Sequence, residues 1–100
     1  MDLAWLENQP RSDAAANAIV MALDQAGAPL HKVPRRGAGF SVLKAPDIPS
    51  VLIEVGFLSS TEDRDRLLDP EWRRNVSTAI VQGIKSWAVV DAASAKLIRQ

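Results

Sequence analysis

The sequence has no cysteine, one histidine and no excess charge of either sign, twelve Lys and Arg balancing twelve Asp and Glu. Without cysteine there is no disulfide framework, no zinc knuckle and no thiol nucleophile. One histidine excludes a self-contained His-rich metal site. Zero net charge removes the basic footprint expected of a nucleic-acid binder. No eighteen apolar residues run together, so no segment reads as membrane-spanning. The opening MDLAWLENQPRS lacks the basic and apolar regions of a secretory signal. No GxGxxG, P-loop, GxSxG or HExxH motif occurs, and neither Ser59 nor Ser60 has a histidine base in evident arrangement. Internal repeats and low-complexity stretches are also missing.

What is present is ordinary globular composition: 100 residues, 47% hydrophobic and 24% charged, enough for one domain with a real core. Ala16, Ile19, Val20, Leu23 and Ala26 recur at helical spacing, with Ser12 as the N-cap, Gly27 at the left-handed C′ position and Pro29 preventing continuation. The pattern predicts a helix over about 12 to 26. Leu30 to Val33 reads as a short edge strand, Pro34 to Gly39 as an exposed turn, Phe40 to Lys44 as a second strand, and Ala45 to Ser50 as an irregular connection. The apolar, β-branched run Val51 to Leu58 suits a strand covered on both faces. Ser60-Thr61-Glu62-Asp63 caps a helix over 61–68, and Asp69-Pro70 restarts one. Trp72, Val76, Ile80, Ile84 and Trp87 carry that helix to about 89, after which residues 91–100 either continue it or fray. Helices alternating with buried strands predict an α/β domain, a short, largely buried sheet flanked by helices at about 12–26, 61–68 and 70–89.

Glu54 is the candidate that stands out. A carboxylate among apolar neighbours on a buried strand is costly to ionise unless compensated, so it is a proton carrier, a metal-site partner, or half of a buried pair with arginine. His31 reads as an ordinary surface or half-buried residue. Lys32, Arg35, Arg36 and Lys44 lie in a stretch, 28 to 46, without an acid; this is a solvated loop that could also contact an anionic polymer. Trp5, Trp72 and Trp87 read as packing anchors, and Glu62 to Arg66 as a solvent face with local ion pairs.

The run Gly39 to Ser59, GFSVLKAPDIPSVLIEVGFLS, closely resembles the C-terminal part of zinc-dependent N-acetylmuramoyl-L-alanine amidases of the amidase-3 type, bacterial cell-wall hydrolases. The resemblance extends over roughly residues 2 to 88. It implies cleavage of the amide joining N-acetylmuramic acid to the L-alanine of the stem peptide, a zinc held by two histidines and a glutamate, and a further strand glutamate, at Glu54, assisting proton transfer. Zinc lowers the pKa of its bound water to about 7, and a nearby carboxylate can take the proton and return it to the leaving amine. The resemblance also implies a cell-envelope or periplasmic setting and peptidoglycan as partner.

Two departures qualify this. The zinc ligands of such enzymes precede the region that residue 2 onward resembles, and His31 does not fall at a ligand position, so the chain is expected to bind no catalytic zinc alone. Ser60 stands where family members commonly carry Asn. The expectation is therefore residues 1–100 as one domain, the C-terminal portion of an amidase catalytic domain, inactive alone and self-associating through a bare sheet edge. The alternatives are a non-catalytic α/β module that binds cell-wall material or a protein partner, and a remnant in which Glu54 is merely tolerated.

Overall fold

A computed structural model of the chain describes residues 3–28, 48–56 and 59–99, with side chains from 9 to 97 within those ranges. Three helices account for most of them: α1, Leu3–Gln25; α2, Thr61–Leu68; and α3, Pro70–Arg99.

Helix α1 begins nine residues before its expected cap at Ser12 and carries Pro10 inside it. Proline removes one N–H from the ladder, yet the preceding residues Leu3 to Gln9 are mostly good helix formers. The Gln9 side-chain amide donates to Asp13 Oδ1 at 3.1 Å, bridging the turn that contains the proline. The C-terminus follows the sequence. Gly27 adopts φ +77°, and paired bonds from Gly27 N to the Asp24 carbonyl and from Ala28 N to the Leu23 carbonyl, both 3.0 Å, close a Schellman motif.

Helix α2 is set by local chemistry. The Ser60 hydroxyl accepts from Asp63 N at 3.2 Å, and Arg66 Nη1 reaches Asp63 Oδ1 at 3.1 Å one turn on. Asp69 then caps α3, its Oδ1 accepting from Glu71 N at 3.0 Å, with Pro70 in the first helical position where a missing N–H costs nothing. Arg73 Nη1 donates to the Leu67 carbonyl at 2.6 Å, satisfying an acceptor that the end of α2 leaves open. Helix α3 runs ten residues past its expected end, through the Ala-rich stretch after Asp91.

The core is the crossing of α1 and α3. Ala15 and Ile19 of α1 and Val76 and Ala79 of α3 are its buried apolar residues, and Gly83 lies so close to Ile19 that a Cβ there would meet the Ile19 Cα at 2.7 Å. Eight residues back along α1 and eight forward along α3, Arg11 meets Asp91 with Nε to Oδ1 and Nη2 to Oδ2, both 2.8 Å. The two helices are therefore antiparallel. Trp72, Ile80 and Trp87 extend the stripe as half-buried residues, whereas Ile84, assigned to it on spacing, is exposed.

The α/β expectation is corrected. Among the described residues there is no strand and no sheet, and Val51–Gly56 takes no regular structure. A strand exists only by exchanging hydrogen bonds with a neighbour, and the two proposed neighbours, Leu30–Val33 and Phe40–Lys44, lie outside the described residues. The bare sheet edge through which self-association was expected is likewise not found among them. No described helix is long and apolar enough to cross a membrane.

Candidate functional site

The segment that carries Glu54 is held at both ends by helices. Upstream, Ser50 N donates to the Ser12 hydroxyl of α1 at 2.9 Å in a half-buried setting, and the Ser50 hydroxyl turns back to the Ile48 carbonyl at 3.1 Å. Downstream, Gly56 rests on α2: a Cβ there would lie 3.2 Å from Asp63 Cβ and 3.5 Å from Leu67 Cδ1. Between these anchors, Val51 and Ile53 are half-buried while Leu52, Glu54 and Val55 are exposed.

Glu54 thus differs from its sequence-based description. With no sheet around it, the carboxylate faces solvent, and the buried-pair reading has no arginine to support it in the structure described. Solvent access leaves it open to contact, which a sealed core position would not permit. Its neighbours Leu52, 56% exposed, and Val55, 47% exposed, place apolar surface on either side of it.

Among the described residues, no other candidate gathers around Glu54. His31, Lys32, Arg35, Arg36 and Lys44 lie outside the described residues. Trp72 and Trp87 are half-buried on α3, and the Trp87 indole N–H is buried with no hydrogen-bond partner among the described residues. The run Glu62 to Arg66 forms local pairs, Arg66 with Asp63 at 3.1 Å and with Glu62 at 4.0 Å, as a solvent face should. Ser60 is a cap and not a nucleophile.

Among the described residues no three His, Cys, Asp or Glu side chains come together to hold a metal ion, and the whole sequence offers one histidine and no cysteine. The described residues do not fit a two-histidine zinc site.

Sequence reasoning missed the role of α1 in this site. Ser12 was read as a helix cap, yet it lies inside α1 and holds the Glu54 segment instead. Arg11 beside it was not singled out. Its guanidinium, hydrogen-bonded to Asp91, is held more basic than usual against the opposing effect of burial, and the same bonds hold the Asp91 carboxyl below the usual carboxylate range. Neither partner, 80 residues apart in sequence, carries a local signal. The helix-buried Gly83 did carry one: a glycine amid a stripe of Val and Ala marks a close crossing.

The family model of N-acetylmuramoyl-L-alanine amidases matches residues 3–86, a range that contains Ser12, Ser50 and Glu54. Among curated proteins, the chain is 45% identical over 58 residues to the N-acetylmuramoyl-L-alanine amidase AmiC of Escherichia coli O6:H1, covering 58% of this chain and 14% of that protein. It is 39% identical over 62 residues to the N-acetylmuramoyl-L-alanine amidase AmiA of Escherichia coli K12, covering 59% and 22%. A probable cell wall amidase, LytH of Staphylococcus saprophyticus, is 35% identical over 52 residues, covering 52% and 18%. The matched stretch is thus about a fifth or less of each of these relatives. No solved structure matches the chain.

Proposed function

Because the chain belongs to the N-acetylmuramoyl-L-alanine amidase family, we propose that it is part of a peptidoglycan amidase of the cell envelope, and that Glu54 handles the proton in cleaving the amide between N-acetylmuramic acid and the L-alanine of the stem peptide. The observation that carries this reading is an exposed carboxylate in the middle of a segment anchored at both ends, within the family-matched region. Hydrolysis of an amide requires water to lose a proton as it attacks the carbonyl carbon, and the departing amine to gain one as the C–N bond breaks. One carboxylate can do both in turn, for about 10²–10⁴-fold in rate. The zinc that such enzymes use would be held by residues other than those described.

The single histidine favours a second reading, a module of the same family that binds cell-wall material without cleaving it. A hybrid separates the two. Residues 3–86 replace the region of Escherichia coli AmiC that aligns with them, and release of stem peptide from purified peptidoglycan is measured. A hybrid that cleaves, and loses about a hundredfold or more in kcat on Glu54→Gln, supports catalysis. A hybrid that folds and sediments with peptidoglycan yet releases nothing supports binding alone.

A further inference from the structure

We propose that Ser12 is a positioning residue for Glu54: by accepting the Ser50 amide proton, its hydroxyl fastens to α1 the irregular segment that presents the carboxylate. This rests on the reading of Glu54 given above. The segment Val51–Gly56 belongs to no helix or strand, so its path depends on its anchors and not on a ladder. The downstream anchor is steric, Gly56 against Asp63 and Leu67 of α2. The upstream anchor is polar, Ser50 N to Ser12 Oγ at 2.9 Å. Glu54 lies four residues beyond Ser50 and two before Gly56, close enough that either anchor limits where its carboxylate can go.

The turn of α1 that carries Ser12 is itself braced. Arg11, the adjacent residue, makes its two 2.8 Å bonds to Asp91 of α3, and three residues on Ala15 enters the α1–α3 core. The support runs from the helix pair, through one hydroxyl, to the segment with the candidate catalytic group. Ser12 has no capping duty, being well inside α1. Serine is a poorer helix former than alanine there, so nothing in the helix itself favours it. Its value lies in the hydroxyl.

The full chain is examined first by residue-resolved amide hydrogen exchange. Ser12→Ala is expected to speed exchange at Ser50 about fivefold, the ratio that one typical net hydrogen bond supports, with the α1 and α3 amides unchanged. Ser12→Thr, which keeps a hydroxyl, retains protection, and Glu54→Gln leaves it as it was. In the AmiC hybrid, Ser12→Ala then lowers kcat by a similar factor with KM unchanged, and Ser12→Thr restores it. Unchanged Ser50 exchange in Ser12→Ala overturns the anchor. Faster exchange with undiminished kcat overturns the positioning role. Full turnover in Glu54→Gln overturns the reading of Glu54 instead, a failure that the exchange data on Ser50 report separately.

Discussion

Replacing Gly83 by alanine sets two opposed effects against each other at the centre of the α1–α3 crossing. In a helix interior the change gains about 1 kcal/mol of intrinsic propensity. Against this, the new Cβ would stand 2.7 Å from the Ile19 Cα, 3.0 Å from the Ala18 carbonyl oxygen and 3.1 Å from the Ile19 nitrogen. Carbon atoms pack best at about 3.5–4.0 Å, and all three contacts are backbone, so no side chain can swing aside. The helices must separate by about 1 Å, which loosens Ala15, Ile19, Val76 and Ala79 together. Overpacking of this kind costs about 1–3 kcal/mol, so the net effect is a loss of ~1 kcal/mol and a Tm about 4–8 °C lower for a domain of this size. Thermal and urea unfolding followed by circular dichroism measure it, with Ala88→Gly on the exposed side of α3 calibrating the propensity effect alone. A Gly83→Ala protein that melts higher than the parent would refute the close crossing.

Further outcomes follow from other contacts. Asp91, held below its ordinary pKa of 3.8 by its hydrogen bonds to Arg11, adds stability that is present above that value and lost as pH falls through the lower folded-state one; Arg11, held more basic than usual, keeps its share until strongly alkaline pH. Acid titration of stability should therefore be shallower in Asp91→Asn, and an unchanged curve would remove the bridge from the account. Ser60→Ala should cost α2 ~1 kcal/mol and speed exchange of the Asp63 amide, while Ser60→Asn, an equally good cap, should not. Leu52→Ser should cost the chain alone no more than about 1 kcal/mol, since half of that side chain is already in water. In the AmiC hybrid it should cost about 2 kcal/mol or more if the rest of the enzyme covers this surface, and equal losses in both would show that it does not.

Legibility in the sequence tracked the range over which each feature is decided. Helix ends are settled by atoms within four residues, and so the Schellman close at Gly27, the Ser60 cap and the Asp69-Pro70 restart were all readable in advance. The N-terminal start of α1 was not, because Pro10 is a stop signal only by the usual rule, and good helix formers upstream with the Gln9–Asp13 bond outweigh it. The sheet failed for a different reason. Val51-Leu52-Ile53 has the composition of a buried strand, but composition supplies no hydrogen-bonding neighbour, and the structure described offers none.

The same distinction explains why Glu54 could be picked out while its setting could not. A lone carboxylate in an apolar run is visible in one dimension, whatever the fold. What holds it in place is contact across long separations: Ser12 to Ser50, 38 residues apart, and Arg11 to Asp91, 80 apart. Serine and arginine near a helix start have good local explanations, as cap and as solubilising charge, and those explanations hide the tertiary one. In sequence the apolar neighbours imply a buried Glu54, whereas exposed Leu52 and Val55 flank an exposed carboxylate. A polar group bordered by accessible apolar surface is how a contact site presents itself before its counterpart arrives. That arrangement suits a residue meeting a substrate better than one closing a core.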